Sequence, residues 1–240
     1  MKKIFIIILA SISVISCNSR KNTAIKKKIS SETVSLENIM LIDSNIVRKH
    51  LYTLASDEME GRKPGTIGIE KAAVYIENEF KKNGLSPFGD LKSYRQTFTF
   101  KNRKTNEDIT SSNIIGVLEG KSKKEEYVII SAHYDHLGLG DEGSLYRGSE
   151  TKIHNGADDN ASGVSLMLDL AGKLVDINKN NNYLFIAFSG EEMGLLGSNF
   201  FVKNPTIDIS SINYMINMDM VGRLNEEKSL AVYGLGTSPI

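Results

Sequence analysis

Residues 127–136 read YVIISAHYDH, and this stretch decides the interpretation of the whole chain. Val128–Ala132 is apolar apart from one serine, which is typical of a strand buried on both faces. His133, Asp135 and His136 follow the strand directly. In open α/β sheets, ligands bind beyond the carboxyl ends of the strands. The stretch therefore predicts an α/β fold with a functional site at this end of the strand.

Two further apolar strands end in acidic residues. The strand expected over residues 183–188 precedes Glu191 and Glu192, and the strand expected over residues 212–218 precedes Asp219. Apolar residues at helical spacing predict helices between the strands, over 44–54 with Ser44 as N-cap, 68–83, 164–174 and 193–201. Other strands are expected over 94–100, 113–118 and 230–233. This alternation predicts a three-layer α/β sandwich around a mixed, largely parallel sheet.

The composition excludes several classes of protein. The 240 residues carry 29 Lys and Arg against 29 Asp and Glu, and this zero net charge argues against a nucleic-acid binder. A hydrophobic fraction of 40% excludes an intrinsically disordered chain. The single cysteine excludes an internal disulfide and a thiolate metal cluster. Imidazole and carboxylate remain as ligands for a transition metal.

The N-terminus predicts export. Two lysines precede an apolar run over residues 4–15, which is too short to span a bilayer and is typical of a signal peptide over residues 1–16. The sequence VISC at residues 14–17 resembles the bacterial lipobox, in which Cys17 becomes the first mature residue and carries lipid. A plain signal peptide with an incidental cysteine is the alternative.

A linker is expected between this anchor and the folded domain. Residues 17–43 are rich in Lys, Ser, Asn and Thr, a composition typical of a flexible tether. The folded domain is then expected over residues 44–240. The resulting expectation is an exported bacterial lipoprotein, held to a cell-envelope membrane on its periplasmic side or at the cell surface.

Acidic residues and histidine gather at the expected sheet edge. Besides the residues that end the strands, the pair Asp158-Asp159 lies in a loop that opens a helix. Carboxylates this close raise one another's pKa unless a cation lies among them. Zinc favours this mixture of ligands, and two zinc ions that share a carboxylate are suited to hydrolysis. A carboxylate that binds no metal can then act as general base.

The motifs resemble those of the co-catalytic dizinc exopeptidases, a family that includes bacterial leucyl aminopeptidases and the glutamate carboxypeptidase ectodomain. The sequence contains, in family order, the blocks His-x-Asp at 133–135, Asp-x-x-Ser-Gly at 159–163, Glu-Glu at 191–192 and Asn-Met-Asp-Met at 217–220. The resemblance covers roughly residues 45–236, and the four blocks together are far more specific than any one of them.

The resemblance implies a role for each of these residues. His133 and Asp219 bind one zinc ion, Glu192 binds the second, and Asp159 bridges both. Glu191 is the general base. Two further features are implied: Asp135 accepts the imidazole N–H of His133 and fixes its tautomer, and the peptide bond after Asp159 is cis. Because Asp158 is adjacent to Asp159, the sequence leaves open which of the two aspartates is the bridging residue.

The sequence departs from the family at the second zinc ion. That ion takes a further histidine downstream of the Asn-Met-Asp block, and no histidine follows His154 here. The second site is therefore expected to be incomplete in this sequence. Ser238-Pro239 has the pattern of a helix start, which predicts that the sequence is truncated at its C-terminus. His154 is an alternative imidazole donor, whereas His136 is expected at the pocket mouth, with metal binding as its alternative.

By resemblance the protein is expected to be a zinc exopeptidase, foremost an aminopeptidase that uses two zinc ions. A carboxypeptidase or dipeptidase with the same site is one alternative. A non-catalytic surface binding protein on a degenerate peptidase scaffold is another. The expected partners are peptide substrates and the membrane that holds lipidated Cys17, without nucleic acid. The sequence leaves the side-chain preference and the oligomeric state open.

Overall fold

The computed structural model describes residues 43–89, 91–121, 126–178, 180–229 and 231–234. The expected signal peptide, Cys17, the linker up to residue 42 and the Ser238-Pro239 pair lie outside these residues. The helices are α1 (Ser44–Leu54), α2 (Ile67–Lys82), α3 (Gly163–Ile177) and α4 (Leu196–Lys203). The strands are β1 (Arg95–Lys101), β2 (Asp108–Leu118), β3 (Tyr127–His133), β4 (Asn182–Phe188) and β5 (Ile212–Asn217). No helix in the described part is both long and apolar enough to cross a bilayer.

The five strands form one mixed sheet in the order β1-β2-β4-β3-β5. Strand β3 pairs in parallel with β4 and with β5, whereas β2 pairs antiparallel with β1 and with β4. The mixed sheet confirms the predicted fold class. The parallel half contains the three strands that end in candidate site residues, so their carboxyl ends lie at one edge.

Helices cover both faces of the sheet, which gives the predicted three layers. On one face, Phe185 of β4 packs in a core cluster with Phe80 of α2 and Met167 of α3. On the other face, Ile186 belongs to a second cluster with Phe201 of α4. Consecutive residues of a strand point to opposite faces, so the apolar run in β4 is buried on both sides. The continuous apolar strands in the sequence therefore correspond to the centre of the sheet.

Several element boundaries differ from the prediction. The N-cap of α1 is Asp43 rather than Ser44, and its side chain accepts a hydrogen bond from the amide of Asn45. Strand β2 begins at Asp108 rather than at residue 113, because residues 108–112 pair with β1 in a hairpin. The predicted strand at the end of the chain is wrong within the described part, since residues 231–233 form no strand.

The turn after β4 also differs from the prediction. Helix α4 begins at Leu196 and not at Met193. The amides of Gly194 and Leu195 both donate to the carbonyl oxygen of Glu191, which closes a tight turn ahead of the helix. This turn holds Glu191 at the sheet edge instead of on a helix.

Candidate metal centre

The carboxyl ends of β3, β4 and β5 bring the predicted site residues together. Strand β3 ends at His133, and β4 is followed by Glu191 and Glu192. Asp219 follows β5 after one intervening residue. Because the three strands run in parallel, these side chains meet beyond the same edge of the sheet. The turn before α3 adds Asp159 to the same place.

The first group of metal donors is centred on His133, which is 3% exposed. Its Nε2 atom lies 3.2 Å from Asp159 Oδ1 and 3.5 Å from Asp219 Oδ1. The three donor atoms are close enough together to hold one ion. Burial alone lowers the pKa of His133, but contacts with Asp135, Asp159 and Asp219 outweigh it and raise the pKa to about 12. The carboxylates thus stabilise a positive charge at this point. A set of one imidazole and two carboxylates is also a donor set that fits zinc.

The turn Ala157–Ser162 positions Asp159 through its neighbour Asn160. The peptide bond between Asp159 and Asn160 is cis, as the resemblance implied. The buried Asn160 side chain donates to the carbonyl oxygen of Met218 and accepts from the amide of Met220. These two residues flank Asp219. Asn160 therefore fixes two donors of the first group relative to each other.

A second group of donors contains His136, Asp159 and Glu192. His136 Nδ1 lies 2.5 Å from Glu192 Oε1. The ring of His136 thus lies against a predicted ligand, as the metal-binding alternative requires, and it also lines a small cavity with Glu192. The alternative donor His154 lies elsewhere, with Nε2 2.6 Å from Ser144 Oγ. The described residues thus offer an imidazole to the second group without a histidine from downstream.

Asp135 holds the turn that carries the two glutamates. Its fully buried carboxylate accepts hydrogen bonds from the backbone amides of Glu191, at 3.1 Å, and Glu192, at 3.3 Å. The Asp135 carboxylate lies 3.6 Å from His133 Nδ1, whereas the Asp135 carbonyl oxygen lies closer, at 3.2 Å. The carboxylate therefore orients the glutamate turn more directly than it orients the imidazole.

Glu191 lies beside the first donor group but belongs to neither group. Its Oε2 atom is 3.9 Å from His133 Nε2, and its side chain is 34% exposed. Burial raises the pKa of Glu191, and the neighbouring carboxylates act in the same direction. A raised pKa suits a carboxylate that takes up and releases a proton near neutral pH.

Asp158 points away from both groups. Its carboxylate accepts from the amide of Gly222 at 2.9 Å and pairs with Arg223 Nε at 2.7 Å. Asp159, by contrast, is shared between the two groups. The geometry thus agrees with the register given by the Asp-x-x-Ser-Gly spacing.

A cavity of about 240 Å³ opens beside the first donor group. His133, Glu191 and Asp219 form its polar wall, and the apolar wall contains Phe188, Leu195 and Met215. A larger cavity of about 700 Å³ follows the loop between His136 and the Asp159 turn, but none of the carboxylates of the two donor groups lines it. The smaller cavity is therefore the candidate substrate site.

Two buried side chains that contact the backbone around the site were not identified from the sequence. Asn160 and Arg62 are both buried and act on backbone atoms that lie far away in the sequence. No spacing rule connects either residue to its partners. His136 carried a usable signal, because it directly follows the His-x-Asp block.

The chain matches a peptidase family and individual curated proteins in sequence. Residues 113–240 match Peptidase family M28. Aminopeptidase YwaD of Bacillus subtilis is 36% identical over 124 residues, which make up 50% of this chain and 24% of that protein. The alkaline phosphatase isozyme conversion protein of Escherichia coli is 32% identical over 181 residues, or 73% of this chain and 50% of that protein. The chain thus matches 24% and 50% of the length of these two relatives.

Solved structures share the fold at lower identity. A Zn-dependent exopeptidase from Parabacteroides distasonis superposes with a TM-score of 0.65 and 22% identity, covering 77% of this chain and 63% of that one. The glutaminyl cyclase of Bacteroides thetaiotaomicron gives a TM-score of 0.63 and 19% identity, covering 77% and 64%. The fold therefore hosts more than one reaction, and the function has to be argued from the site.

Proposed function

This chain belongs to peptidase family M28, and from that membership we propose that it is a zinc-dependent aminopeptidase, which removes N-terminal residues from peptides. The observation that carries the proposal is the pair of donor groups that share Asp159, with Glu191 beside them as a carboxylate outside both groups. This arrangement provides both the metal ligands and a separate proton acceptor.

The proposed ligands are the members of the two donor groups. His133, Asp159 and Asp219 would hold one zinc ion, and His136, Asp159 and Glu192 would hold the second. When bound, zinc polarises the scissile carbonyl and makes a water molecule a stronger acid. Asp135 keeps the glutamate turn in place through its two backbone hydrogen bonds.

Glu191 is proposed to move the proton. Its carboxylate takes a proton from the attacking water and then delivers that proton to the nitrogen of the leaving amine. The new C–O bond forms first and the C–N bond then breaks, and delivery of the proton to the nitrogen returns Glu191 to its ionised form in each turnover. The position of Glu191 at the polar wall of the 240 Å³ cavity supports this role, because a peptide that bound there would lie beside its carboxylate.

The cavity favours an N-terminus over a C-terminus. The described residues that line it include Glu191 and Asp219 but neither lysine nor arginine, so a substrate carboxylate inside this cavity would meet no cationic side chain. A free α-ammonium group, by contrast, meets no lysine or arginine in this cavity that would repel it. Lys63 and Arg103 line a separate, smaller cavity beside His136 and Glu192. The apolar wall of Phe188, Leu195 and Met215 suits an apolar first side chain. These features favour an aminopeptidase over a carboxypeptidase.

The first test is a substrate panel with and without a chelator. The full chain is expected to hydrolyse leucine p-nitroanilide and free peptides, to lose this activity in EDTA, and to regain it with zinc. N-acetylated peptides should resist cleavage, because they lack the α-ammonium group. Release of C-terminal residues from N-blocked peptides would instead favour a carboxypeptidase. Hydrolysis that persists in EDTA would contradict the metal mechanism, and zinc binding without hydrolysis of any peptide would favour the non-catalytic binding protein.

We further propose that Cys17 is lipidated and tethers a peptidase domain over residues 44–240 to a cell-envelope membrane. The lipobox-like sequence before Cys17 supports this proposal, as does the polar linker over residues 17–43. In bacteria that express the full chain and grow in radiolabelled palmitate, the protein is expected to carry label and to sediment with membranes. Cys17→Ser should abolish the labelling. Equal labelling of both proteins would rule out Cys17 as the lipid attachment point.

A further inference from the structure

Arg62 is buried next to the candidate metal centre without a carboxylate among its hydrogen-bond partners. Its side chain is 1% exposed and is the largest fully buried side chain among the described residues. The guanidinium donates to four backbone carbonyl oxygens, those of Leu54, Tyr134, Asn155 and Gly156. A buried charge is normally paired with an opposite charge, so this arrangement requires an explanation.

The carbonyl groups bound by Arg62 belong to the segments that carry the metal donors. Tyr134, whose carbonyl oxygen lies 2.8 Å from Arg62 Nε, stands between His133 and Asp135. Gly156 accepts from Nη2 at 2.9 Å and immediately precedes the turn that contains Asp159. One side chain thus joins the end of β3 to the Asp159 turn.

The backbone of Arg62 and of its neighbour Gly61 contacts the segment that contains His136. The carbonyl oxygen of Arg62 accepts from the amide of His136 at 3.2 Å, and that of Gly61 accepts from the amide of Gly138 at 2.9 Å. The chain around Arg62 therefore contacts the segments that carry His133, His136 and Asp159. These three residues supply donors to both groups.

The charge of Arg62 also acts on the site. Burial lowers the pKa of Arg62 to about 10, while Asp135, Asp159 and Glu192 act in the opposite direction. The guanidinium therefore stays charged at neutral pH. Its positive charge, which belongs to the protein and not to a bound ion, reduces the repulsion among these three carboxylates.

We propose that Arg62 is a positioning residue of the metal centre, fixing the His133–His136 segment against the Asp159 turn and balancing the carboxylates with a permanent charge. This role rests on the proposed function, since it presumes that the two groups bind zinc. Lysine cannot replace Arg62, because the planar guanidinium reaches several acceptors in fixed directions, whereas an ammonium group donates from a single point. Arg62→Lys therefore keeps the positive charge but removes the hydrogen bonds that the guanidinium donates in fixed directions.

The test measures the zinc affinity of the full chain and checks its stability in a separate measurement. In folded apo protein, checked by circular dichroism, Arg62→Lys is expected to weaken zinc binding by about tenfold or more, as losses around metal ligands do. The affinity is measured by competition with a chromophoric chelator. The absorption spectrum of the cobalt-loaded protein should change as well, because the ligand geometry changes.

Two control variants separate positioning from general destabilisation. Arg95→Lys alters an arginine that pairs with Glu70 and Glu77 at 2.7 Å, and Ile76→Ala opens the core under α2. Both should leave zinc affinity unchanged even where they lower stability. Wild-type zinc affinity in Arg62→Lys would overturn the role of Arg62 alone. A wild-type chain that binds no zinc would overturn the proposed function, and the role of Arg62 with it.

A measurement on the unmutated chain covers the case in which Arg62→Lys does not fold. The buried Nε–H group of Arg62 should give a slowly exchanging nitrogen-15 NMR signal, assigned through its own side-chain carbons. Zinc is expected to shift this signal, because its acceptor Tyr134 adjoins His133. The signal of Arg95 should stay in place. An Arg62 signal that zinc leaves unmoved would overturn the proposal.

Discussion

Glu191→Gln is expected to lower kcat for leucine p-nitroanilide by about 10²–10⁴-fold, the range that a positioned general acid–base group contributes. Glutamine has nearly the shape of glutamate but cannot accept the proton of the attacking water. Because Glu191 lies outside both donor groups, zinc content should remain at the wild-type value. The measurement combines steady-state kinetics with zinc analysis of the same protein sample.

The neighbouring glutamate provides the matched control. Glu192→Gln makes the same chemical change one residue away, at a carboxylate that contacts His136 and belongs to the second group. This variant should lose zinc together with activity. An active Glu191→Gln enzyme would exclude Glu191 as the base, and loss of zinc from Glu191→Gln would make Glu191 a ligand instead.

The parts of the fold that could be predicted from sequence are those with local causes. The apolar runs of β3 and β4 predicted strands buried on both faces, and both lie inside the sheet. The stop signal of α2 was also local, since Asn83 caps the helix and Gly84 follows with a φ of +75°. The beginning of β2 was missed because residues 108–112 are polar apart from Ile109, and their pairing with β1 is not visible in the residues themselves.

At the site, the sequence predicted which residues gather but not how they are held. His133, Glu192 and Asp219 follow parallel strands, so their meeting follows from topology. The alternation of a strand would place His136 on the opposite side from His133. Strand β3 ends at His133, however, and the amide of His136 bonds to Arg62, so the alternation no longer applies. Contacts of this kind depend on backbone atoms that every residue carries, and no sequence pattern identifies them.

The adjacent pair Asp158-Asp159 shows how spacing and structure combine. The sequence alone offers two carboxylates of the same type in one loop, and only the distance to Ser162-Gly163 distinguishes them. In the structure, the Asp158 side chain faces Arg223, which is 74% exposed. Asp159 faces the buried His133. The two residues therefore allow the same substitution to be made inside and outside the metal centre.

Asp159→Asn is expected to weaken zinc binding by about 100-fold or more, because loss of even an orienting partner costs 10–100-fold and Asp159 is a donor to both groups. Asparagine keeps the shape of the side chain and removes the negative charge that both ions would share. The zinc content of purified protein should fall at both sites together, and peptidase activity should fall with it. Zinc analysis after dialysis against a weak chelator provides the measurement.

Asp158→Asn supplies the control for this change within the same turn. It removes the ion pair with Arg223, and exposed pairs of this kind contribute about 0–1 kcal/mol to the free energy of unfolding. Zinc content and activity should therefore remain near the wild-type values. If the two variants exchanged these results, Asp158 would be the bridging residue. If Asp159→Asn lost only one ion, the two groups would bind their metals independently, and the shared carboxylate on which the proposed mechanism depends would be excluded.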